Sequence, residues 1–376
     1  MIKQEISELK KLLTQNNCSI TRICGCYVDG EKNKKMTFCQ PFLALPEEEM
    51  FKYFEILRKN YSGTLGKNLL NLEFPLDAEF KDGAQEFLLR LRDSKLKDEE
   101  LLDAYYDKII ENYEYTGNYL ILIVHDVYDV PGRTKDGLDM EDASTDIYEY
   151  ILSCICPVAL SKPGLSYFPE ENAFQNRIRD WVVGMPETGF LFPAFDDRGS
   201  NIHSLLYYSK NAEALKDSFV SQLFHCTLPL SAGSQKDTFH ALIEETLGEE
   251  CKLEAVKAIH EKLSEMVEEH KEDTEPLTLS QNEMKTLFAG SGVSNEKMEE
   301  FDKHFEETAG QSVSLLADNI INTRSFEVKT PDVVIKVKPD RTDLVDNRII
   351  DGRSCLVIRL DGIVEVNGIA LQNDLE

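Results

Sequence analysis

The residues of this chain best suited to chemistry form an acidic group after the apolar run YLILIV. His125, Asp126 and Asp129 follow that run, and further carboxylates lie in the next segment at Asp136, Asp139, Glu141 and Asp142. Carboxylates at a strand end can hold Mg²⁺ or Mn²⁺, and a nearby imidazole can transfer a proton, as metal-assisted phosphoester hydrolysis requires. The spacing matches no calcium-binding loop. Asp126 and Asp129 are therefore the candidate metal ligands, with an ordinary acidic loop as the alternative.

A second polar group lies between two predicted strands and contains Asp196, Asp197, Arg198 and His203. A carboxylate, a guanidinium and an imidazole together can do acid–base work or bind an anion. The same Asp–Arg pair can instead fix a tight turn through local hydrogen bonds. His203 can equally be a core residue, because its neighbours are apolar.

Two Cys-x-Cys pairs could place four thiols together. Cys24 with Cys26 and Cys154 with Cys156 each lie two residues apart on predicted strands, so each pair shares a strand face. Paired strands could then hold zinc, but structural zinc sites usually place two to four residues between their cysteines. Thiols in apolar runs pack well as small hydrophobic side chains. We therefore expect buried reduced thiols here and predict no cofactor.

The formal net charge is −27, which argues against unassisted binding to nucleic-acid phosphates. The charge is uneven: Asp237–Gly310 holds 20 acidic and 7 basic residues, whereas residues 1–40 hold 7 basic and 4 acidic ones. Arg324–Arg359 is also slightly basic, with 8 basic and 6 acidic residues. The two basic segments either are ordinary solvated surfaces or form a local basic face on an otherwise acidic protein. A protein partner is predicted, and nucleic acid only together with such a partner.

No apolar run approaches the length of a membrane span, and the amphipathic start of the chain carries charges that a signal peptide would lack. We therefore expect a cytoplasmic protein without membrane contact.

The first 230 residues mix hairpin and helix patterns without regular β–α alternation, which predicts an α+β fold with a mixed or antiparallel sheet and flanking helices. The predicted strands are Ile20–Val28, Phe38–Leu45, Tyr119–Val127, Tyr148–Leu160, Gly189–Phe195 and Ile202–Ser209. The predicted helices are residues 2–13, a helix opening at Pro46, Ala84–Leu91, Asp98–Tyr113 and Glu170–Val183.

Three domains are predicted: the α+β core at 1–230, an acidic helical segment at 236–310 and a β-rich domain at 313–376. In the second, Ser280 and Glu283 form a capping-box pattern that opens a helix. In the third, the dipeptides Asp351-Gly352, Asp361-Gly362 and Asn367-Gly368 favour hairpin turns. The C-terminal domain is therefore predicted to be an antiparallel meander.

Four segments carry a resemblance to a known family. They are Ile20–Gly30 (ITRICGCYVDG), Pro157–Tyr167 (PVALSKPGLSY), Arg177–Tyr208 and Thr330–Gly352 (TPDVVIKVKPDRTDLVDNRIIDG). Across nearly its whole length the chain resembles an uncharacterised family of cytosolic proteins of Gram-positive, mostly anaerobic bacteria, known only as a domain of unknown function. The resemblance implies a bacterial cytoplasmic protein and brings no activity, cofactor or catalytic residue with it.

Three functional hypotheses remain open. The first is a non-catalytic interaction or regulatory protein, favoured because no catalytic motif stands out. The second is a metal-dependent phosphoester hydrolase centred on Asp126 and Asp129. The third is a nucleoid- or ribosome-associated factor that uses the basic ends of the chain. Convergence of Asp126, Asp129, Asp196, Arg198 and His203 in one open pocket would favour an enzyme.

Overall fold

The computed structural model describes residues 1–80, 83–133, 139–310, 313–322, 325–360, 362, 364–366 and 368–371, without the side chains of 133, 139–145 and 371. The chain divides into two compact units, Met1–Ser231 and Ala232–Glu376. The further division of the second unit near residue 310 stays a prediction.

Unit 1 is built on an eight-stranded antiparallel sheet. Its main order is β2-β1-β4-β5-β9-β12-β3, and β8 pairs with the end of β5. The strands of the unit are β1 Ile20–Val28, β2 Lys34–Pro41, β3 Leu69–Glu73, β4 Asn118–Arg133, β5 Asp139–Leu160, β6 Leu165–Phe168, β7 Ala173–Asn176, β8 Trp181–Val183, β9 Thr188–Phe192, β10 Ala194–Asp196, β11 Gly199–Asn201 and β12 Ser204–Ser209. Its helices are α1 Lys3–Leu12, α2 Glu47–Lys59, α3 Ala84–Asp93, α4 Glu99–Asn112 and α5 Asp217–Phe224.

Both faces of this sheet are buried, which explains the nearly continuous apolar sequence of β4. Successive strand residues point to opposite faces. Leu122 and Val124 therefore join a core with α1 and α2, whereas Ile121 and Ile123 join a second core with α3, α4 and α5. The predicted α+β class is confirmed, with helices covering both faces of an antiparallel sheet.

Three local predictions for unit 1 were wrong in whole or in part. The strand predicted at Phe38–Leu45 is instead the end of β2, which stops at Pro41, followed by a short 3-10 helix at Phe42–Ala44. The helix predicted at Glu170–Val183 is instead the β6–β7 hairpin followed by β8. Its turn contains Asn172 in the left-handed region at φ 46°, a conformation that ends a helix. The polar segment after Val127 was expected to be a loop, but β4 continues to Arg133 and β5 begins at Asp139. Cross-strand pairing, with register shifts around Pro131, carries the ladder into this segment.

Unit 2 combines helices with short hairpins. Its helices are α6 Ala232–Leu247, α7 Leu253–Glu269, α8 Gln281–Gly290, α9 Asn295–Thr308 and α10 Ala317–Ile320. Its strands are β13 Thr278–Leu279, β14 Leu315–Leu316, β15 Phe326–Lys329, β16 Val334–Val337, β17 Val345–Ile350, β18 Arg353–Ile358, β19 Val364–Val366 and β20 Ile369–Leu371. The Ser280–Glu283 capping box is confirmed.

The antiparallel β structure predicted for the C-terminal part is confirmed as three hairpins, β15–β16, β17–β18 and β19–β20. Asp351 and Gly352 form the two-residue turn of β17–β18 with positive φ at both positions, as such a hairpin requires. Among the described residues, no helix is both long enough and apolar enough to cross a bilayer.

Candidate functional site

His125 is a buried imidazole with a hydrogen-bond partner at each ring nitrogen. Its Nε2 lies 2.7 Å from Glu149 Oε1, and its Nδ1 lies 2.7 Å from Thr21 Oγ1. The side chain is inaccessible to solvent. Burial lowers the pKa of His125, although the hydrogen bond to Glu149 opposes that shift. The group is therefore a neutral, fully paired core histidine, which suits a structural role.

Asp126 points to the opposite face of the sheet, because it follows His125 on β4. Its carboxylate accepts hydrogen bonds from the Tyr150 hydroxyl at 2.7 Å and from the Val127 amide at 2.8 Å. Burial nevertheless raises the pKa of Asp126, because the ionised form has lost its hydration. The sequence neighbours predicted to act together are thus separated by the sheet.

The raised pKa of Asp126 gives a testable pH dependence. A carboxyl whose pKa is higher in the folded than in the unfolded chain costs stability as pH rises above its unfolded value near 3.8. Relative to Asp126→Asn, the wild-type free energy of unfolding should therefore fall as pH rises from about 4 towards the raised pKa, with a slope of at most about 1.4 kcal/mol per pH unit. Urea unfolding of both proteins at several pH values measures this difference. A constant difference would contradict the assignment.

The remaining residues of the acidic group do not add a described metal site. Asp129 is exposed on β4, and Asp136 lies outside the described residues. Asp139, Glu141 and Asp142 lie on β5, where only the backbone is described. Among the described side chains, no group of three His, Cys, Asp or Glu residues is placed to hold a metal ion.

Arg198 lies in the two-residue turn of the β10–β11 hairpin, where Asp197 and Arg198 both have positive φ. Its guanidinium donates to both carboxylate oxygens of Glu8 on α1, at 2.9 and 2.7 Å, and to the Pro131 carbonyl at 2.8 Å. Tyr128 Oη also donates to Glu8, at 2.8 Å. These contacts join α1, the end of β4 and the hairpin. Arg198 thus has the contacts of a structural clamp.

Asp196 and His203 each have other partners. Asp196 is exposed and accepts a hydrogen bond from Asn201 across its own hairpin. His203 is also exposed, and its Nδ1 lies 2.8 Å from Glu79 Oε1. The five candidate catalytic residues are therefore divided between a buried core position, a clamp and separate surface positions.

The Cys-x-Cys pairs lie on opposite faces of the sheet and do not converge. Cys26 belongs to the core beneath α3 and α4, whereas Cys154 and Cys156 belong to the core beneath α1 and α2. Cys24 lies opposite Cys39 in the β1–β2 register and forms a disulfide with it. The expectation of a reduced thiol is therefore wrong for Cys24, because the sequence pattern alone did not reveal its cross-strand partner.

The most unusual exposed surface of unit 1 is a segment that we call the apolar arm, residues 160–185. It contains the end of β5, the β6–β7 hairpin and β8. Its exposed large apolar side chains are Leu160, Leu165, Tyr167, Phe174, Ile178, Trp181, Val182, Val183 and Met185. Most soluble proteins limit contiguous exposed apolar surface to a few hundred Å², and larger areas mark binding sites.

The hairpin register gathers part of this surface on one face. Tyr167 and Phe174 are cross-strand partners, and their ring centroids lie 5.4 Å apart. Leu165 lies two residues before Tyr167, so it shares that face. Within the described chain, β6 and β7 form a sheet of only two strands, so each also has an edge without a partner strand. Such edges can add a strand from another protein.

Sequence reasoning missed this site because it interpreted residues 170–183 as a helix. The signals were the only tryptophan of the chain, the placement of Leu165 and Tyr167 two residues apart, and Phe174 between Ala173 and Gln175. Alternation shows which residues share a strand face, but not that the face lacks a covering element. Exposure became visible only in the tertiary structure.

A family model described as a domain of unknown function, DUF4317, matches residues 1–369. No curated protein matches the chain. No solved structure matches it either. Because the matched region spans nearly the whole sequence, the chain belongs to the DUF4317 family of domains of unknown function.

Proposed function

We propose that this chain is a non-catalytic interaction protein and that the apolar arm is its binding surface for another protein. The observation that carries the proposal is the exposure of Leu165, Phe174 and Ile178, each at least 73%, together with Trp181 at 56%. Leaving these side chains in water costs free energy that a partner surface would recover. We also propose a bacterial cytoplasmic location, on the basis of the sequence resemblance.

The size of the arm is compatible with a stable contact. Tyr167, Phe174 and Trp181 are each about half exposed or more, so together they offer on the order of 300 Å² to a partner. The six other exposed apolar side chains add to this area. A typical specific interface covers about 800 Å² on each partner, with aromatic residues enriched at its centre.

Charge favours a basic partner over a second copy of the same chain. Two copies with a net charge of −27 repel each other, whereas a basic protein is attracted. Residues 161–186 hold three basic and three acidic residues, so the arm itself is neutral. We therefore propose a partner with an apolar groove and a basic rim, steered by the field of the acidic protein and held by apolar contact.

The nucleic-acid hypothesis receives less support from the described contacts. Lys34 pairs with both Asp103 and Asp107, and Lys35 pairs with Asp29. Near the other end, Asp346 binds Arg348 and Arg359, and Glu327 binds Lys336. Carboxylates thus neutralise part of the basic charge that would have to face phosphates.

Site-specific photo-crosslinking tests the proposal. A photoreactive phenylalanine analogue at position 174 should form discrete adducts with another protein in cells that make this chain. Position 80 is a matched control, because Phe80 is 70% exposed in the same unit but lies outside the arm. The adducts from position 174 should disappear with Trp181→Ser, and the purified partner should bind more weakly as salt rises.

The single tryptophan gives an independent readout. Because Trp181 is exposed, its fluorescence in the isolated protein should be strongly quenched by neutral acrylamide and protected when the purified partner binds. Equal adducts from positions 80 and 174 would contradict the proposal. Adducts between two copies of this chain would show that the arm binds a second copy, and would contradict the proposal of a different partner protein.

A further inference from the structure

Unit 2 contains an open cavity of about 520 Å³, within the range of small-molecule sites. Helices α6 and α7, the segment around α10 and strand β15 form its walls. Ile243, Val256, Ile320 and Phe326 are among its apolar lining residues. A flat apolar group would therefore find contact surface on several sides.

The same cavity is lined by cationic and imidazole groups. Lys236, Lys252 and Lys329 line it, and none of the three has an ion pair within the described part of the chain. His240 and His260 also line it, one on α6 and one on α7. The three lysines come from α6, from the residue before α7 and from β15, so they line different walls of the cavity.

His260 is held in place by aromatic rings. Phe239 and Phe326 contact it edge to face, at centroid distances of 6.2 and 5.9 Å. Its ring nitrogens make no hydrogen bond within the described residues, in contrast to the fully paired His125. Burial, with nearby His240 and Lys236, lowers the pKa of His260 to about 4. Besides burial, His240 and Lys236 are the groups that lower this pKa, so an anion bound beside them would oppose the shift.

Three acidic residues also line the cavity, and each is either bound to another side chain or exposed to solvent. Glu327 is occupied by Lys336 at 2.8 Å, and Glu261 accepts a hydrogen bond from the Thr342 hydroxyl. Glu244 lies on α6 one turn beyond His240 and is exposed. It therefore competes with a ligand less than a buried carboxylate would.

We propose that this cavity binds a small organic anion, a carboxylate or phosphate attached to a flat ring. The ring packs against the apolar wall formed by Phe326, Val256 and Ile320. The anionic group lies near Lys236, His240 and His260, where lysine supplies charge and a protonated imidazole supplies a hydrogen-bond donor. This site lies in unit 2 and does not depend on the proposed role of the apolar arm.

Binding should take up protons. The charged groups near the histidines are Lys236, Asp237 and Glu244 on α6, Glu261 on α7, and Glu327 and Lys329 on β15. The pKa of His240 and that of His260 are lowered in the free protein, mainly by burial. A bound anion raises both pKa values, so its affinity should increase as pH falls from 8 towards 5.5.

Calorimetric titration of the full chain with matched probes tests the proposal. 2-Naphthoate is compared with neutral 2-naphthamide, adenosine monophosphate with adenosine, and inorganic phosphate serves as the anion without a ring. At least one ring-bearing anion should bind at one site per chain and about tenfold more tightly than its neutral analogue. Lys236→Met should weaken that binding about tenfold, as expected for one lost charge contact.

Lys262→Met is the matched control, because Lys262 is exposed on α7 and does not line the cavity. It should leave the affinity unchanged. The proposal is overturned if neither ring-bearing anion binds at millimolar concentration, if each neutral analogue binds as tightly as its anion, or if Lys262→Met has the same effect as Lys236→Met. If inorganic phosphate bound as tightly as the ring-bearing anions, the site would recognise only the anionic group, and the proposed ring contact would be wrong.

Discussion

Replacing Gly189 by alanine is expected to destabilise unit 1 by about 3 kcal/mol, because the added methyl group has no space. Gly189 is buried on β9 between β5 and β12. A β-carbon there would lie 2.1 Å from Asn60 Oδ1 and 2.5 Å from the Ser153 carbonyl oxygen. The carbonyl belongs to the neighbouring strand, so relief requires movement of the sheet itself. Urea unfolding followed by circular dichroism measures the loss.

Two further variants check the cause. Gly164→Ala adds the same methyl group where no atom lies within 4 Å, so the free energy of unfolding should change little or rise slightly. Adding Asn60→Ala to Gly189→Ala removes the side-chain clash but leaves the clash with Ser153. Only partial recovery is therefore expected. Wild-type stability of Gly189→Ala would show that β5 and β9 are not packed as described.

Removing the guanidinium of Arg198 is expected to cost about 2–4 kcal/mol in Arg198→Ala. The change deletes the two hydrogen bonds to Glu8 and the one to the Pro131 carbonyl. Both charged side chains are only about one-fifth exposed, so water replaces these contacts incompletely. Hydrogen exchange of peptides from α1 and the β10–β11 hairpin should increase together, because Arg198 joins the two elements.

Backbone strain makes Arg198→Gly an informative companion variant. Arg198 has φ 57°, which favours glycine by roughly 1 kcal/mol. Arg198→Gly should therefore lose less stability than Arg198→Ala. The exposed Arg177→Ala serves as the control and should change stability by no more than about 0.5 kcal/mol. If all three variants resembled wild type, the clamp would have no energetic role.

The sequence alone was sufficient for much of the local structure of this protein. Apolar periodicity predicted α1, α3, α4, and the strands β1 and β4, because buried faces impose their period on the chain. Short-range chemistry also worked: the Ser280–Glu283 capping box and the Asp351-Gly352 turn involve only neighbouring residues. These features need no knowledge of what packs against them.

Only the tertiary structure decided which residues meet. His125 and Asp126 are adjacent in sequence but lie in different environments, because strand residues alternate between two buried faces. Arg198 binds Glu8, which is far away in the sequence. The pairing of β1 with β2 places Cys24 opposite its disulfide partner. The apolar arm has a sequence pattern that suits a buried element. The arm is exposed because no other element covers it within the described part of unit 1. The local sequence cannot show whether such an element is present.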